Sequence, residues 1–462
     1  MKEGPARTLY TLAWYVALPF AALYLLWRGL RQREYLRHWG ERFLGTAPHG
    51  NSNGGETIWV HAVSVGETRA AQPLIEALAR ARPDARFVLT HMTPTGRATG
   101  KVLVRSLRGR LVQRYLPYDL PFALASFFAE VQPALGIVLE TEAWPNLLFG
   151  ARDRGIPMML VNARLSERSL ARGLRFAALM RSAARAFACI AAQTEADRAR
   201  LAQLYSGPIA VLGNLKFDLA PDAAQLAAGQ ALRGTCADAP VWLLATTREG
   251  EEALLLDALQ RSVDLRAADS PALIVVPRHP QRFDEVAKLV ASRGLPVQRR
   301  SLLGAQAVPA PGKVLLGDTM GEMALYYAAA DLAVVGGSLR PLGGHNLIEA
   351  AACGCPVVIG PHTFNFAQAT SDAVAAGAAL QVADADAAIA ALSALTQDAA
   401  RRELMRSAAA AFSAAHRGAT ARTLQFVEDV IGAAPRPAPH PVDPAALSTP
   451  AVRRAPARPT SR

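Results

Sequence analysis

The chain has few cysteines and few aromatic side chains, and both shortages exclude classes of function. Four cysteines occur in 462 residues. None belongs to a CxxC or Cys/His metal-ligand spacing, which argues against a disulfide framework, a zinc site and an oxidising compartment. Aromatic residues make up 6% of the chain, and no zinc-finger or RNA-recognition pattern occurs. We therefore expect no nucleic-acid partner.

Acidic residues are also fewer than basic ones. Asp and Glu number 38 against 50 Lys and Arg, which gives a formal net charge of +12 and a pI near 10.0. This excess favours an anionic partner, such as an anionic lipid or a phosphorylated substrate. We find no Asp-x-Asp pair placed to hold a divalent cation under a diphosphate, so we expect chemistry without a metal ion or a cofactor.

A long hydrophobic run occurs at the N-terminus, where residues 8–27 carry no charge. About 20 residues at helical rise span roughly 30 Å, the thickness of a bilayer core. Arginines follow at positions 28, 31, 33, 37 and 42, so the positive-inside rule keeps the body cytoplasmic. A signal peptide is the alternative, but no small-x-small cleavage site follows. We predict an uncleaved membrane anchor in residues 1–50, which either spans the bilayer or lies in its interface.

Beyond residue 50, short apolar runs alternate with helical patterns, which indicates α/β domains with parallel sheets covered on both faces. We predict two Rossmann-like domains at residues 51–215 and 241–432, a linker at 216–240 and a disordered Pro/Arg-rich tail at 433–462. The predicted strands are residues 58–63, 86–90, 111–115, 135–139, 158–161, 189–192, 209–212, 241–245, 272–276, 314–316, 332–335, 357–359 and 379–382.

A glycine-rich segment, residues 336–349, lies between an apolar run and an alanine-rich helical pattern. Glycine turns at this position let backbone N–H groups and a helix N-terminus bind phosphate. His345, Asn346 and Glu349 fall at helical spacing on one face, and the Glu349 carboxylate suits a ribose diol. The segment favours a nucleotide-sugar site, and an ordinary tight turn is the alternative.

In the first half of the chain, acidic residues follow two strands, and ligands of open parallel sheets bind at such strand ends. Glu67 could accept a proton from a substrate hydroxyl, although an acid at this position also simply favours a helix N-terminus. Glu140 and Glu142 repel each other and require a cation or a shared proton. Lys216 and Arg164 are the candidate cations, and a helix cap with a surface ion pair is the alternative.

In the second half, Arg278 follows a strand and could bind a phosphate through its fork of donors. His279, between two prolines, is more typical of a structural histidine. Backbone N–H groups at residues 246–252 and 317–322 could receive an anion. Asp318 is a candidate cap for the helix that follows, with Glu322 completing the helix-start pattern.

Taken together, these motifs resemble the 3-deoxy-D-manno-octulosonic acid (Kdo) transferases of lipopolysaccharide assembly. The resemblance covers about residues 8–425 in order and spacing. The segments that carry it are residues 35–43, 59–67, 140–146, 213–218, 277–280, 317–322, 343–349 and 364–366.

The resemblance implies a GT-B fold, with a cleft between its two domains. It implies inverting, metal-independent transfer of Kdo from CMP-Kdo to an anionic lipid A precursor, lipid IVA, at the cytoplasmic face of the inner membrane. By position, Glu67 is the general base, and Glu142 and Lys216 stabilise the transition state. The implied CMP-Kdo site comprises Pro277, Arg278, Met320, Gly321, Glu322, Asn346, Leu347, Ile348 and Glu349.

The chain departs from the family pattern at Thr246 and Arg248, where Ser and His are usual. Arg248 keeps a hydrogen-bond donor but cannot act as an acid near neutral pH; it could instead bind the sugar carboxylate or the CMP phosphate. Two alternative functions stay open. One is a GT-B glycosyltransferase of the same membrane with a different nucleotide sugar, and the other is a membrane-tethered nucleotide-binding protein without catalysis.

Overall fold

The computed structural model describes residues 5–46, 55–236, 239–264, 267, 270–304 and 308–433. From residue 434 onward the predicted disordered tail lies outside the described residues, as does most of the predicted loop at residues 50–55. The predicted α/β fold class is confirmed: an N-terminal helix is followed by two parallel sheets with helices on both faces.

The N-terminal helix α1 (Pro5–Arg31) is, among the described residues, the one helix long and apolar enough to cross a membrane. Its first turns pack on the sheet domain that follows. The Tyr10 hydroxyl donates to an Asp119 carboxylate oxygen at 2.8 Å, and the Arg7 guanidinium lies 4.6 Å from the centre of the Phe149 ring. The opposite side of the helix exposes Leu9, Leu12, Val16, Phe20, Leu23 and Leu30.

The first domain contains seven parallel strands: β1 (Thr57–His61), β2 (Arg86–His91), β3 (Leu111–Tyr115), β4 (Leu135–Leu139), β5 (Met158–Ala163), β6 (Phe187–Ala192) and β7 (Ile209–Val211). Their order in the sheet is β3-β2-β1-β4-β5-β6-β7. The helices between them are α2 (Val65–Ala81), α3 (Pro94–Ser106), α4 (Pro121–Val131), α5 (Pro145–Arg152), α6 (Glu167–Leu174), α7 (Ala177–Ala184) and α8 (Glu195–Leu201).

The second domain repeats this plan. A helix α9 (Ala223–Gly234) precedes β8 (Val241–Thr247), β9 (Ala272–Pro277), β10 (Val297–Arg299), β11 (Val314–Leu316), β12 (Leu332–Val335), β13 (Val357–Ile359) and β14 (Ala379–Gln381). The sheet order is β10-β11-β9-β8-β12-β13-β14, and all the strand pairs are parallel. The remaining helices are α10 (Glu251–Ser262), α11 (Phe283–Ser292), α12 (Arg300–Leu303), α13 (Met323–Ala329), α14 (Leu347–Ala352), α15 (Ala367–Ala375), α16 (Ala385–Gln397), α17 (Ala399–Ala415) and α18 (Ala419–Ala433).

The centre of the first sheet shows why these apolar runs form strands. All five residues of β4 are buried, as expected of a strand with helices on both faces. Trp59 on β1 is paired with Gly136 on β4. A Cβ at Gly136 would collide with Met158 and lie 2.9 Å from the Trp59 ring. The glycine therefore makes room for the large indole, and close packing follows.

One strand, β10, is absent from the sequence prediction. It has three residues, lies at the edge of the second sheet and is only half-buried. An edge strand needs to bury less of its surface than a central strand. Gln298 and Arg299 are therefore polar, and β10 lacks the apolar run by which the other strands are predicted.

Two helices, α9 and α18, pack in places that the predicted domain boundaries do not indicate. Within the predicted linker, α9 packs against α13 of the second domain, where a Cβ at Gly229 would collide with the Leu325 carbonyl. The last helix, α18, returns to the first domain and buries Ala419 and Val427 in its core. Residues 419–433 therefore pack on the first sheet, although the predicted second domain extends to residue 432.

We predict that Val427→Asp destabilises the first domain, because an unpaired carboxylate would enter its core. The free energy of unfolding should fall by about 2–4 kcal/mol. Hydrogen-exchange mass spectrometry should show faster exchange in α2 peptides than in α10 peptides. Ala421→Asp adds the same charge on the exposed face of α18 and serves as the control. Similar α2 exchange in both variants would contradict the packing described.

Candidate active site

A cavity of about 360 Å³ lies between the two domains. Residues that follow strands of both sheets line it, as expected where the carboxyl ends of parallel strands face each other. From the first domain the lining residues are Val65, Gly66, Arg69, Gln72 and Lys216. The opposite wall carries most of the residues predicted to bind CMP-Kdo.

Seven of the nine predicted donor-site residues line this cavity: Pro277, Arg278, Met320, Gly321, Glu322, Asn346 and Glu349. The other two, Leu347 and Ile348, are each 1% exposed and belong to the hydrophobic core of the second domain. Their side chains hold α14 against its sheet, so only their backbone can face a ligand.

Glu67 lies in the first turn of α2, beside the cavity. Its two carboxylate oxygens accept hydrogen bonds from the Val63 N–H at 2.9 Å and the Ser64 hydroxyl at 2.8 Å. The carboxylate therefore stabilises the helix start, as the alternative interpretation held. Burial, and then the nearby charges of Glu140 and Glu142, raise the pKa of Glu67 to about 7. A carboxyl with this pKa can also accept a proton at neutral pH.

Glu140 is the centre of the acidic pair, and both predicted cations bind it. The Lys216 ammonium donates to Glu140 Oε1 at 2.7 Å, and Arg164 Nε donates to Oε2 at 3.0 Å. Burial alone would raise the pKa of Glu140, but the two cations lower it below its ordinary value. Glu140 has a left-handed backbone with φ of 60°, a conformation that costs about 1–3 kcal/mol in a non-glycine residue. The surrounding ion pairs hold this strained conformation.

Glu142 lies apart from these cations. One of its oxygens accepts a hydrogen bond from the Trp144 indole N–H at 2.7 Å, and the edge of the Trp144 ring packs on His61 at 6.0 Å between ring centres. Burial and the charge of Glu140 raise the pKa of Glu142. Lys216 thus pairs with the first acid of the motif rather than with Glu142.

Arg164 also connects the two domains. Its Nη1 donates to the Asn365 carbonyl at 3.0 Å, and Lys216 Nζ lies 5.4 Å from the centre of the Phe366 ring. Asn365 in turn donates its backbone N–H to the Gly343 carbonyl at 2.8 Å. The ion-pair cluster of the first domain therefore contacts the glycine-rich segment of the second.

The beginning of the glycine-rich segment does not form an open phosphate site, contrary to the expectation from sequence. The N–H groups of Gly337 and Leu339 donate to the Glu251 carboxylate at 2.6 and 3.0 Å. Arg248 N–H donates to the same carboxylate at 2.9 Å. Glu251 is fully buried and occupies the position that an external anion would need.

His345 was expected to share a helical face with Glu349, and this is wrong. Helix α14 begins at Leu347, with Asn346 as its N-cap, so His345 precedes the helix. Its Nδ1 lies 2.8 Å from the Thr246 carbonyl, and burial together with Arg278 lowers the pKa of His345 to about 4. The ring is neutral at pH 7, so Nδ1 donates to that carbonyl.

The predicted cap at Asp318 is also wrong. Its carboxylate accepts hydrogen bonds from Arg299 Nε at 2.7 Å and from the Ser301 N–H at 2.7 Å, while Glu322 occupies the N-cap position of α13. Glu322 pairs with Arg300 at 3.2 Å. These contacts connect the cavity wall to the edge of the second sheet.

Three residues that the sequence prediction does not include shape the site. Arg69 follows Val65 by four residues and precedes Gln72 by three, so helical spacing could have placed it on the cavity face. Asp119 accepts the N–H groups of Asn146 and Leu147 at the start of α5. Asp119 and Glu251 accept hydrogen bonds from backbone N–H groups of segments that are distant in sequence, and no local sequence pattern predicts such contacts.

Among the described residues, no group of three or more His, Cys, Asp or Glu side chains could hold a metal ion. An Asp-x-Asp pair does follow β14, at residues 384–386. Asp384 caps α16, and Asp386 pairs with Arg261 on the surface at 2.6 Å. Independence from metal ions stays a prediction.

Comparisons with known proteins agree with this architecture. A family model described as 3-deoxy-D-manno-octulosonic-acid transferase matches residues 37–219, and one described as glycosyl transferases group 1 matches residues 307–412. A 3-deoxy-D-manno-octulosonic acid transferase of Bordetella pertussis is 46% identical over 92% of this chain and 100% of its own. One of Haemophilus influenzae is 35% identical over 91% of this chain and 98% of its own.

A solved structure supports the fold. The crystal structure of a glycosyltransferase from Rickettsia africae covers 82% of this chain and 99% of its own, with a TM-score of 0.56 and 13% identity. Two parallel-sheet domains facing a shared cleft constitute the GT-B fold, so the predicted fold is confirmed.

We predict that Glu140→Gln lowers the pKa of Glu67 below about 7, because it removes a repelling charge and leaves two cations less neutralised. The free energy of unfolding should also fall by about 2 kcal/mol, since charged hydrogen bonds are lost. The pH dependence of carbodiimide labelling at Glu67, measured by peptide mass spectrometry, reports this pKa.

Glu142→Gln provides the matched comparison, because Glu142 raises the pKa of Glu67 less than Glu140 does. It should shift the labelling curve in the same direction by a smaller amount. An unchanged curve in Glu140→Gln, with the fold intact, would contradict the electrostatic coupling.

Proposed function

This chain belongs to the 3-deoxy-D-manno-octulosonic acid transferase family and is a glycosyltransferase; from that premise, we propose that it transfers Kdo from CMP-Kdo to the lipid A precursor lipid IVA. One observation carries the proposal. Glu67, whose pKa is raised to about 7, lies beside a cavity whose opposite wall holds Arg278 and Glu349. Glu67 does not itself line the cavity, but it directly follows Gly66, which does, so a base on the first domain would lie next to a second-domain wall suited to an anion and a ribose.

The donor occupies the second-domain wall. Arg278 follows β9 at the cavity and offers its guanidinium to the CMP phosphate. Glu349 accepts hydrogen bonds from the ribose hydroxyls, and Met320, Gly321 and Glu322 border the nucleotide. A nucleoside monophosphate leaves with fewer charges than a diphosphate, so arginine side chains can neutralise it without a metal ion.

The reaction is a single displacement. The acceptor hydroxyl oxygen forms a bond to the anomeric carbon as the bond from that carbon to the phosphate oxygen breaks, and the electron pair leaves with CMP. Glu67 takes the hydroxyl proton. Because attack comes from the face opposite the leaving group, the anomeric configuration inverts. We assign the stabilisation of the reacting centre's changing charge to Lys216, which lines the cavity, and to Glu142.

The acceptor reaches the first domain from a membrane. Helix α1 is apolar, and a hydrogen bond from Tyr10 to Asp119 connects it to this domain. Insertion of the helix into a membrane would therefore bring the first domain to the lipid surface. Arg28 and Arg31 in its last turn suit the anionic headgroups of that surface. We place the protein at the cytoplasmic face of the inner membrane.

The proposed function is tested with the full-length, detergent-solubilised protein, CMP-Kdo and tetraacylated lipid IVA, in the presence of EDTA. We expect a lipid product heavier by one or more Kdo residues, detected by mass spectrometry, with release of CMP. A matched reaction with a UDP- or ADP-linked sugar should give no product. Transfer from one of those donors instead, or CMP binding without any transfer, would contradict the proposal.

The base assignment predicts a specific pH dependence. Glu67 accepts a proton only as a carboxylate, so kcat/KM should fall about tenfold per pH unit as the pH drops below about 7. Glu67→Gln keeps an oxygen acceptor for the helix start but cannot take a proton. Its kcat should fall about 10²–10⁴-fold, and the acid limb of the profile should disappear.

Glu195→Gln is the matched control, because Glu195 also lies in the first turn of a helix of the same domain but is exposed. It should retain wild-type turnover at every pH. Near-normal turnover by folded Glu67→Gln would exclude Glu67 as the base.

A further inference from the structure

We propose that Arg69 is a donor-binding residue that holds the carboxylate of the transferred acidic sugar. The inference rests on the proposed function and deepens it, because it assigns the recognition of the sugar acid to the first domain. The residue belongs to the wall that carries the base, opposite the residues that hold the nucleotide.

The cavity contains two basic side chains that are not neutralised by a hydrogen-bonded acid. Lys216 is held by Glu140 at 2.7 Å. Among the described residues, by contrast, no carboxylate lies within hydrogen-bond distance of Arg69 or Arg278. Both line the cavity, and the Arg278 pKa is lowered by burial and by the charge of Arg69. Two guanidinium groups that line one cavity without a hydrogen-bonded carboxylate favour an anionic ligand between them.

The nearest acid to Arg69 is a replaceable partner. Arg69 Nη1 lies 3.7 Å from Glu349 Oε1, across the cleft, and the two side chains are 41% and 31% exposed. This separation is too long for a hydrogen bond, so the partly exposed pair lacks the direct contact that makes an ion pair strong. A ligand carboxylate that bonds directly to the guanidinium would therefore replace Glu349 at low cost. Glu349 would then be free for the ribose.

The chemistry of the donor requires two such cations. The anomeric carbon of CMP-Kdo carries a carboxylate as well as the phosphate oxygen, so two negative charges lie within a few ångströms of each other. Arg278 neutralises the phosphate, and a second guanidinium can hold the carboxylate through two parallel hydrogen bonds. A neutral sugar would leave Arg69 unpaired, so this contact favours an acidic sugar.

The position of Arg69 also relates the donor site to α2 and to the two domains. Glu67 and Arg69 lie on the same rigid helix, two residues and about 3 Å of helical rise apart. Side chains two residues apart leave a helix on different sides, so Arg69 would hold the sugar carboxylate at the cavity wall while Glu67 lies beside the cavity. Because Arg69 belongs to the first domain and Arg278 to the second, the bound donor would bridge the cleft and favour its closure.

The test compares CMP-Kdo with CMP, which lacks the carboxylate, in Arg69→Leu and Arg69→Lys. For Arg69→Leu we expect kcat/KM for CMP-Kdo to fall about tenfold to a hundredfold, because this ratio corresponds to the free energy of hydrogen bonds between charged groups. The inhibition constant of CMP should stay within about twofold of wild type. Arg69→Lys keeps the charge without the planar fork and should be intermediate.

Arg80→Leu removes an exposed arginine from the last turn of the same helix and should leave both constants unchanged. An equal loss of CMP-Kdo and CMP recognition in Arg69→Leu would overturn the proposal, since Arg69 would then serve the nucleotide through Glu349. Unchanged constants would overturn it as well. Wild-type protein that neither transfers Kdo nor binds CMP would overturn the proposed function itself.

Discussion

The site depends on the ion pairs that the buried carboxylate of Glu140 forms with two cations. The carboxylate accepts hydrogen bonds from Lys216 and Arg164 at 2.7 and 3.0 Å. The backbone of Glu140, at the end of β4, is left-handed. Without these cations, two neighbouring carboxylates and Glu67 would repel one another inside a partly desolvated cleft. With them, Glu140 stays charged, and its field contributes to the raised pKa of Glu67. The pKa of Glu67 is therefore raised first by burial and then by the charge that this ion-pair cluster maintains on Glu140.

The same cluster joins parts of the molecule that the chain separates. Arg164 extends from Glu140 to the Asn365 carbonyl of the second domain, and Asn365 is bonded to the glycine-rich segment. On the other side of the first domain, Asp119 connects α1 to the N-terminus of α5, immediately after the loop that carries Glu142. Two separate hydrogen-bonded groups thus hold the first domain to α1 and to the glycine-rich segment of the second domain, and residues 140–146 of the chain connect them.

Much of this architecture could be predicted from sequence, because buried parallel strands are uninterrupted apolar runs and helices between them repeat with a regular spacing. The residues at strand ends, including Glu67, Glu140 and Arg278, follow from the rule that ligands bind there. The half-exposed edge strand β10 lacked that signal. Contacts between distant segments were also beyond reach: Glu251 fills the glycine-rich turn from another helix, and α18 returns to the first domain after 17 residues of α17. Such pairings are decided by tertiary packing, which overrides local pattern.

We propose that the donor and the base meet across this cleft. A crystal structure of Glu67→Gln with CMP-Kdo, in which turnover is slow, tests it most directly. We expect the CMP phosphate at Arg278, the ribose at Glu349 and the anomeric carbon facing residue 67 from the opposite wall. A nucleotide bound outside the cavity, or an anomeric carbon turned away from α2, would contradict it.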